Sequence, residues 1–265
     1  MELQEELIDV EGYEKVIKIT EQSSKLQAII AIHNTTLGPG LGGTRIYPYK
    51  TFKQALKDAL RLSKGMTYKA AIAKVGLGGA KSVIIADPKK DKTPKLLRAF
   101  GHAVDNLSGK YICAEDVGCT PKDIDLILKS TKYACGVHNL RGSGNPSAFT
   151  AHGTFLGIQS VLQELYGSRS IKDKVVAIQG MGSVGMKLAE RLFWSGAKLI
   201  ISDINPEIIK YFSQQFDAEI VDATEIHKVK CDVFAPCALG GVLNQETIKN
   251  LNCRGIAGAA NNQLE

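Results

Sequence analysis

The chain has 265 residues, 44% of them hydrophobic, and 33 basic against 27 acidic side chains give it a net charge of +6. That length suits one large or two ordinary domains. No apolar run approaches the ~20 residues of a membrane span, and the acidic start MELQEELIDV lacks the apolar core of a signal peptide. The six cysteines include no C-x-x-C, which argues against a disulfide framework or structural zinc and for a reducing, cytoplasmic setting. The lysines are dispersed, with a small cluster at Lys89, Lys90 and Lys92 that no aromatic interleaves, so nucleic acid is not expected as a partner.

In chain order, residues 1–20 read as an amphipathic helical start followed by a strand near Val16 to Ile19, and Leu26 to Ile32 as a second strand. The glycines and Pro39 of NTTLGPGLGGTR (34–45) predict a loop. Thr51 is a candidate N-cap for a helix with Phe52, Ala55, Leu56, Ala59 and Leu60 on one face, ended by Gly65. Ala70 to Val75 reads as a strand, Gly76 to Lys81 as a loop and Ser82 to Ala86 as another strand. The Lys81-Ser82 pair raises a phosphate-binding P-loop. That motif needs glycine where Val75 and Ala80 stand, and a helix where SVIIADP follows. Thr93-Pro94 and Thr120-Pro121 each open a helix, with a strand at Lys110 to Cys113 and a loop at Ala114 to Cys119 between them. Arg141 to Ser147, RGSGNPS, reads as a linker, which divides the chain at 1–147 and 148–265. A helix from about Phe149 to Tyr166 leads into the second half.

That half is organised around KVVAIQGMGSVGMKLAERLFWSGAKLIISD (174–203), which combines a strand, G-x-G-x-x-G, a helix, a second strand and an acid. Gly180 allows a tight turn, Gly182 lets the backbone approach a pyrophosphate, and Gly185 lets helix and strand pack closely. With Met181, Ser183 and Val184 they form a loop whose helix offers free N–H groups to phosphates. Asp203 stands where a carboxylate accepts from both ribose hydroxyls, which favours NAD over NADP. Asn205-Pro206 caps a helix to Phe216, and strands follow near Glu219, at Asp232 to Phe234 and at Gly255 to Ala257. The fold class expected is therefore α/β, an N-terminal α/β domain followed by a Rossmann-type doubly wound NAD domain. Its five strands are one short of a full set.

Loops at strand ends are where open α/β sheets hold ligands. Lys69 and Lys81 lie near such loops. Two lysines at one cleft divide the work if one holds a carboxylate and the other, its pKa depressed by burial and a like charge, acts as a base. For any single lysine, or for Asp116, a solvated or capping role fits the spacing equally well.

The segments HNTTLGPGLGGTR (33–45), GMTYKAAIA (65–73), LGGAKSVI (77–84), AEDVG (114–118), GSGNPS (142–147), DVFAPCALG (232–240) and IAGAANNQL (256–264) resemble the glutamate/leucine/phenylalanine/valine amino acid dehydrogenases, most of all the leucine-type branch. The resemblance implies NAD-dependent oxidative deamination in a homo-oligomer associating through its first domains, with an edge strand near residues 16–32 as one candidate surface. It implies that Lys69 binds the substrate carboxylate, that Lys81 activates water and that Asp116 moves protons to and from the amine. It also puts Gly42 and Gly43 at the substrate loop, Thr150 at the nicotinamide amide, and Ala238, Asn261 and Asn262 beside nicotinamide and substrate. Glutamate dehydrogenases carry lysine in GPYKGG where this chain has Leu41 in GPGLGG. Leu41 and Ala114 therefore imply a pocket for branched aliphatic side chains. No metal is implied. Two features depart from the pattern: Ala80 stands in place of a third glycine, and family members continue past NNQL. A shortened protein binding NAD without turnover, or a different NAD enzyme on the same nucleotide domain, are the competing expectations.

Overall fold

The computed structural model describes residues 2–137 and 145–265, so most of the 141–147 linker reading lies outside the described residues. Two compact units divide between Asn145 and Pro146.

The first unit is a six-stranded sheet in the order β1-β2-β3-β5-β4-β6. Its strands are β1 (Gln4–Leu7), β2 (Lys15–Glu21), β3 (Leu26–Asn34), β4 (Gly40–Tyr47), β5 (Gly78–Ile85) and β6 (Tyr111–Glu115). The first three and β5 run antiparallel in succession, while β4 is parallel to both β5 and β6. β3 is apolar on both faces because both are covered. Ile30, Ile32, Ile84 and Tyr111 pack under α2 (Pro94–Asp105) and α3 (Pro121–Ile127). Ile29, Ala31 and Val83 pack under Ala55 and Ala59 of α1 (Phe52–Ala73).

Several sequence expectations are corrected here. The acidic start is a strand, β1, paired to β2; the sheet edge is therefore β1, and residues 16–32 are interior. α1 runs through Gly65 and over the segment expected as a strand, ending only where Lys74 takes a left-handed conformation (φ 53°). Gly79 explains the extension: a Cβ there would lie 2.1 Å from the Thr67 nitrogen, so a bare backbone lets the helix lie directly on β5. Lys81 is consequently inside a strand and Lys69 on a helix, rather than beside loops. The glycine-rich stretch is partly strand β4, since the close approach of its neighbours requires glycine. A Cβ on Gly42 would stand 1.7 Å from the Ala80 carbonyl oxygen.

The second unit is a five-stranded, wholly parallel sheet ordered β11-β10-β7-β8-β9. The strands are β7 (Val175–Gln179), β8 (Lys198–Ser202), β9 (Glu219–Ile220), β10 (Cys231–Pro236) and β11 (Cys253–Ile256), with helices α4 (Ser147–Tyr166), α5 (Ser183–Trp194) and α6 (Pro206–Phe216). From β7 the chain winds outward through β8 and β9, then returns to β10 on the other side. The carboxyl ends of β7 and β10 therefore form the switch point where doubly wound sheets bind ligands. No helix among the described residues is long and apolar enough to cross a membrane.

Candidate active site

In the first unit, β4 lies between β5 and β6 with Leu41 opposite Gly79 and Ile112, Gly43 opposite Ala114, and Thr44 opposite Ser82 and Glu115. Strand alternation puts Leu41, Gly43 and Arg45 on the face that carries Lys81 and Val83, the face covered by α1. Gly43 packs tightly beside the charges: a Cβ there would come within 2.6 Å of the Glu115 carbonyl oxygen, 2.8 Å of the Asp116 Cβ and 3.2 Å of Lys81 Nζ.

Lys81, only 2% exposed, places Nζ 3.0 Å from Asp116 Oδ2. The same oxygen accepts from Arg45 Nε at 2.8 Å. Arg45 Nη1 donates to Asp58 Oδ2 on α1 at 2.8 Å, and the Tyr49 hydroxyl donates to that oxygen at 2.5 Å. Burial lowers the Lys81 pKa, and Arg45 lowers it further against the opposing pull of Asp116. Burial alone would raise Asp116, but Lys81 and then Arg45 hold it below the ordinary carboxylate value.

The loop bearing Asp116 is fastened from three sides. The Ile46 N–H donates to the Val117 carbonyl at 2.9 Å. Gly118, at φ +78°, sits where a Cβ would meet the Ile46 carbonyl oxygen at 2.1 Å. Lys92 Nζ donates to the Gly118 carbonyl (3.1 Å) and to Asp123 (2.7 Å). On the opposite face the buried Tyr111 hydroxyl lies 2.9 Å from the Gly42 carbonyl and 2.8 Å from Ser82 Oγ, tying β6, β4 and β5 together. The structure thus gathers Lys81, Asp116, Gly42, Gly43, Leu41 and Ala114. Lys69 remains exposed on α1, two residues beyond the Thr67 contact with Gly79, and takes no part in the ion-pair chain.

In the second unit, Gly180 has φ +92°, and a Cβ there would lie 2.9 Å from the Ala238 nitrogen. A Cβ on Gly185 would meet the Gly180 carbonyl oxygen at 1.9 Å, whereas Gly182 faces open space as the N-cap of α5. Asp203 accepts from the Met181 N–H (2.7 Å) and the Asn205 N–H (2.9 Å), one on each oxygen. Gly240 packs on the backbone of Asn261 and Asn262, and the Asn262 carbonyl accepts from the Gly241 N–H at 2.8 Å. The loops after β7, β10 and β11 therefore adjoin at the switch point. Ser183 and Val184 open α5 beside them. Thr150 stands exposed in the first turn of α4, its hydroxyl donating to the Pro146 carbonyl at 3.2 Å.

The Glu/Leu/Phe/Val dehydrogenase dimerisation domain matches residues 13–133. A leucine dehydrogenase from Geobacillus stearothermophilus is 50% identical over 254 residues, covering 96% of this chain and 69% of that protein. The chain belongs to the Glu/Leu/Phe/Val dehydrogenase family. The crystal structure of L-tryptophan dehydrogenase from Nostoc punctiforme, a family relative, superposes with a TM-score of 0.69 at 46% identity, over 96% of this chain and 72% of that one. A hetero-hexameric glutamate dehydrogenase from Thermus thermophilus shares the fold at 20% identity, with a TM-score of 0.72 over 100% of this chain and 68% of its own. The family chain has an N-terminal α/β domain followed by a Rossmann-like one, as expected.

Sequence reasoning missed Arg45, Asp58 and Tyr49. The available signals were a charged residue at a buried strand position in GTRIY and an acid set between Ala55 and Ala59 on the buried face of a helix.

Proposed function

We propose that this family member catalyses NAD-dependent oxidative deamination of L-leucine and related branched-chain L-amino acids to 2-oxo acids and ammonium. The observation that carries the reading is a nearly inaccessible lysine 3.0 Å from a carboxylate, on a strand face it shares with Leu41, Gly43, Ala114 and the buried Arg45.

The second unit fits a dinucleotide. Gly182 leaves a space no side chain fills at the start of α5, where unpaired N–H groups and the helix dipole suit a pyrophosphate. Two backbone N–H groups hold Asp203 at the end of β8, and each of its oxygens keeps a lone pair for a ribose hydroxyl. The residues assigned to the cofactor are Gly180, Met181, Gly182, Ser183, Val184, Gly185, Asp203, Thr150, Ala238 and Asn261. Bound NAD supplies a nicotinamide ring that accepts the hydride leaving the substrate Cα.

The chain's own residues do the rest. Lys69, exposed and cationic, holds the α-carboxylate. Asp116 takes a proton from the substrate ammonium, since only a neutral amine can become an imine as hydride departs. Lys81, favoured in its neutral form by burial, takes a proton from the water that attacks the imine carbon; Asp116 returns its proton to the nitrogen of the resulting carbinolamine, and as the C–N bond breaks the hydroxyl gives up its proton, leaving the 2-oxo acid and ammonium. Leu41 and Ala114 meet the substrate side chain, with Gly42 and Gly43 beside them; Asn262, in the second unit, is a further residue assigned to the substrate. Leu41 offers no charge to offset a buried γ-carboxylate, a cost of several kcal/mol.

The family's named dimerisation domain supports self-association through the first unit. Six free thiols suit a cytoplasmic location.

The deciding experiment measures NADH formation with leucine, valine, isoleucine, phenylalanine and glutamate in parallel. Turnover of the branched substrates that disappears in Lys81→Ala is expected. A higher kcat/KM for glutamate than for leucine would overturn the substrate assignment. NAD binding by folded protein without any turnover would point to a non-catalytic binder.

A further inference from the structure

Buried charges are retained only when paired, because an unpartnered ion in a low-dielectric interior is costly. The Lys81–Asp116 pair meets that condition on its own. Yet a second cation, Arg45, is buried at 6% exposure against the same Asp116 oxygen, and it carries a second carboxylate, Asp58, with it. Tyr49 closes the far end by donating to Asp58. The chain Lys81–Asp116–Arg45–Asp58–Tyr49 thus runs from the reactive face of β5 to the flank of α1 with alternating charges.

We propose that Arg45 is the positioning residue of this site: braced by Asp58 and Tyr49, it fixes the Asp116 carboxylate against Lys81 and leaves the other carboxylate oxygen for the substrate amine. This rests on the deamination reading above. A guanidinium suits the task because it stays charged throughout the working pH range and its planar fork reaches two acids at once. Both strong contacts fall on Oδ2, so Asp116 is held in one rotation with Oδ1 outside the chain's contacts.

The charges acting on Lys81 are Asp116 just after β6, Arg45 on β4 and Asp58 on α1, with the Tyr49 phenol beyond. Their effects on Lys81 have opposite signs: Arg45 lowers its pKa and Asp58 raises it. Removing each should therefore move Lys81 in opposite directions, whereas general loosening of the fold would move it the same way in both variants.

The test is an NMR pH titration of the intact protein carrying isotopically labelled lysine, with the Lys81 side-chain signal followed directly, alongside pH profiles of kcat and KM. Arg45→Met should shift the Lys81 midpoint to higher pH and Asp58→Asn to lower pH. Arg45→Lys should hold the midpoint near that of the unaltered protein, since the sign of the charge is kept. It should still lose roughly 10-fold to 100-fold in kcat with a smaller change in KM, because one ammonium cannot bridge both carboxylates. Shifts in the same direction for Arg45→Met and Asp58→Asn, or none in either, would overturn the proposal, as would full kcat in Arg45→Lys. If Arg45→Met fails to fold, Asp58→Asn and Arg45→Lys still decide. The titration needs no turnover, so an inactive unaltered protein would refute the deamination reading while leaving the Arg45 inference testable.

Discussion

Gly42 and Gly43 are adjacent, yet they are small for different reasons. A side chain on Gly42 would drive into the Ala80 carbonyl and the Lys81 nitrogen, which are backbone atoms of a central strand. Gly42→Ala should therefore cost about 3 kcal/mol or more, measured by denaturant unfolding. A Cβ on Gly43 would come within 2.6 Å of the Glu115 backbone carbonyl and would also crowd Asp116 and the end of the Lys81 side chain, of which the Lys81 end can give way. Gly43→Ala should lose about 1–2 kcal/mol of stability but a larger share of kcat, because what moves is the reactive pair. Leu41→Lys should raise kcat/KM for glutamate relative to leucine by supplying the missing countercharge; an unchanged ratio would place the side-chain pocket elsewhere. The segments LGGAKSVI and AEDVG drew attention to Lys81 and Asp116 in the sequence, and the structure brings these two side chains together. Arg45 drew none, since an arginine after two glycines in a stretch read as loop gives no sign that it is buried between two acids.

At the scale of elements, the second unit was far more legible than the first. β7, α5, β8 and α6 follow their apolar runs and caps: Asn205 accepts from the Glu207 N–H just before Pro206, as the Asn-Pro pair predicts. In the first unit the errors cluster at glycine. Gly40, Gly42 and Gly43 in β4 look like punctuation in sequence but are required by close packing that only the tertiary structure reveals, and Gly65 lies inside α1 rather than ending it. The β2–β3 turn offers a test at the same scale. Glu21 accepts from the backbone and hydroxyl of Ser23 and from the Ser24 N–H, and the Ser23 contact is the first cause of a carboxyl pKa lowered from 4.5 to about 2. A carboxyl depressed on folding stabilises above its unfolded value, and that gain is lost as pH falls from 4.5 toward 2. Glu21→Gln should flatten the decline of Tm over that interval without abolishing it, because Asp116 is depressed in the same sense. An unchanged slope would mean that the turn does not hold Glu21 in solution.

The molecule as a whole is built on separate cores. Leu26, Phe100 and Tyr111 belong to the first unit's interior, and Ile178, Leu188 and Phe234 to the second's, with each cluster drawn from one unit alone. A chain with two cores need not unfold in one step, and a ligand stabilises only the part it binds. The sequence supplies its own reporters. Its single tryptophan, Trp194, is 78% exposed on α5 of the second unit, whereas six of the eight tyrosines (Tyr13, Tyr47, Tyr49, Tyr68, Tyr111 and Tyr133) belong to the first unit. NAD at 100 times its Kd should add about 2.7 kcal/mol to whatever it binds. The thermal transition read by Trp194 fluorescence should then rise, while the tyrosine signal in the near-ultraviolet lags behind it. Equal shifts in both signals would mean that the two cores melt as one cooperative body. A tyrosine transition that rises while Trp194 stays put would place the dinucleotide on the first unit and remove the glycine loop from the mechanism.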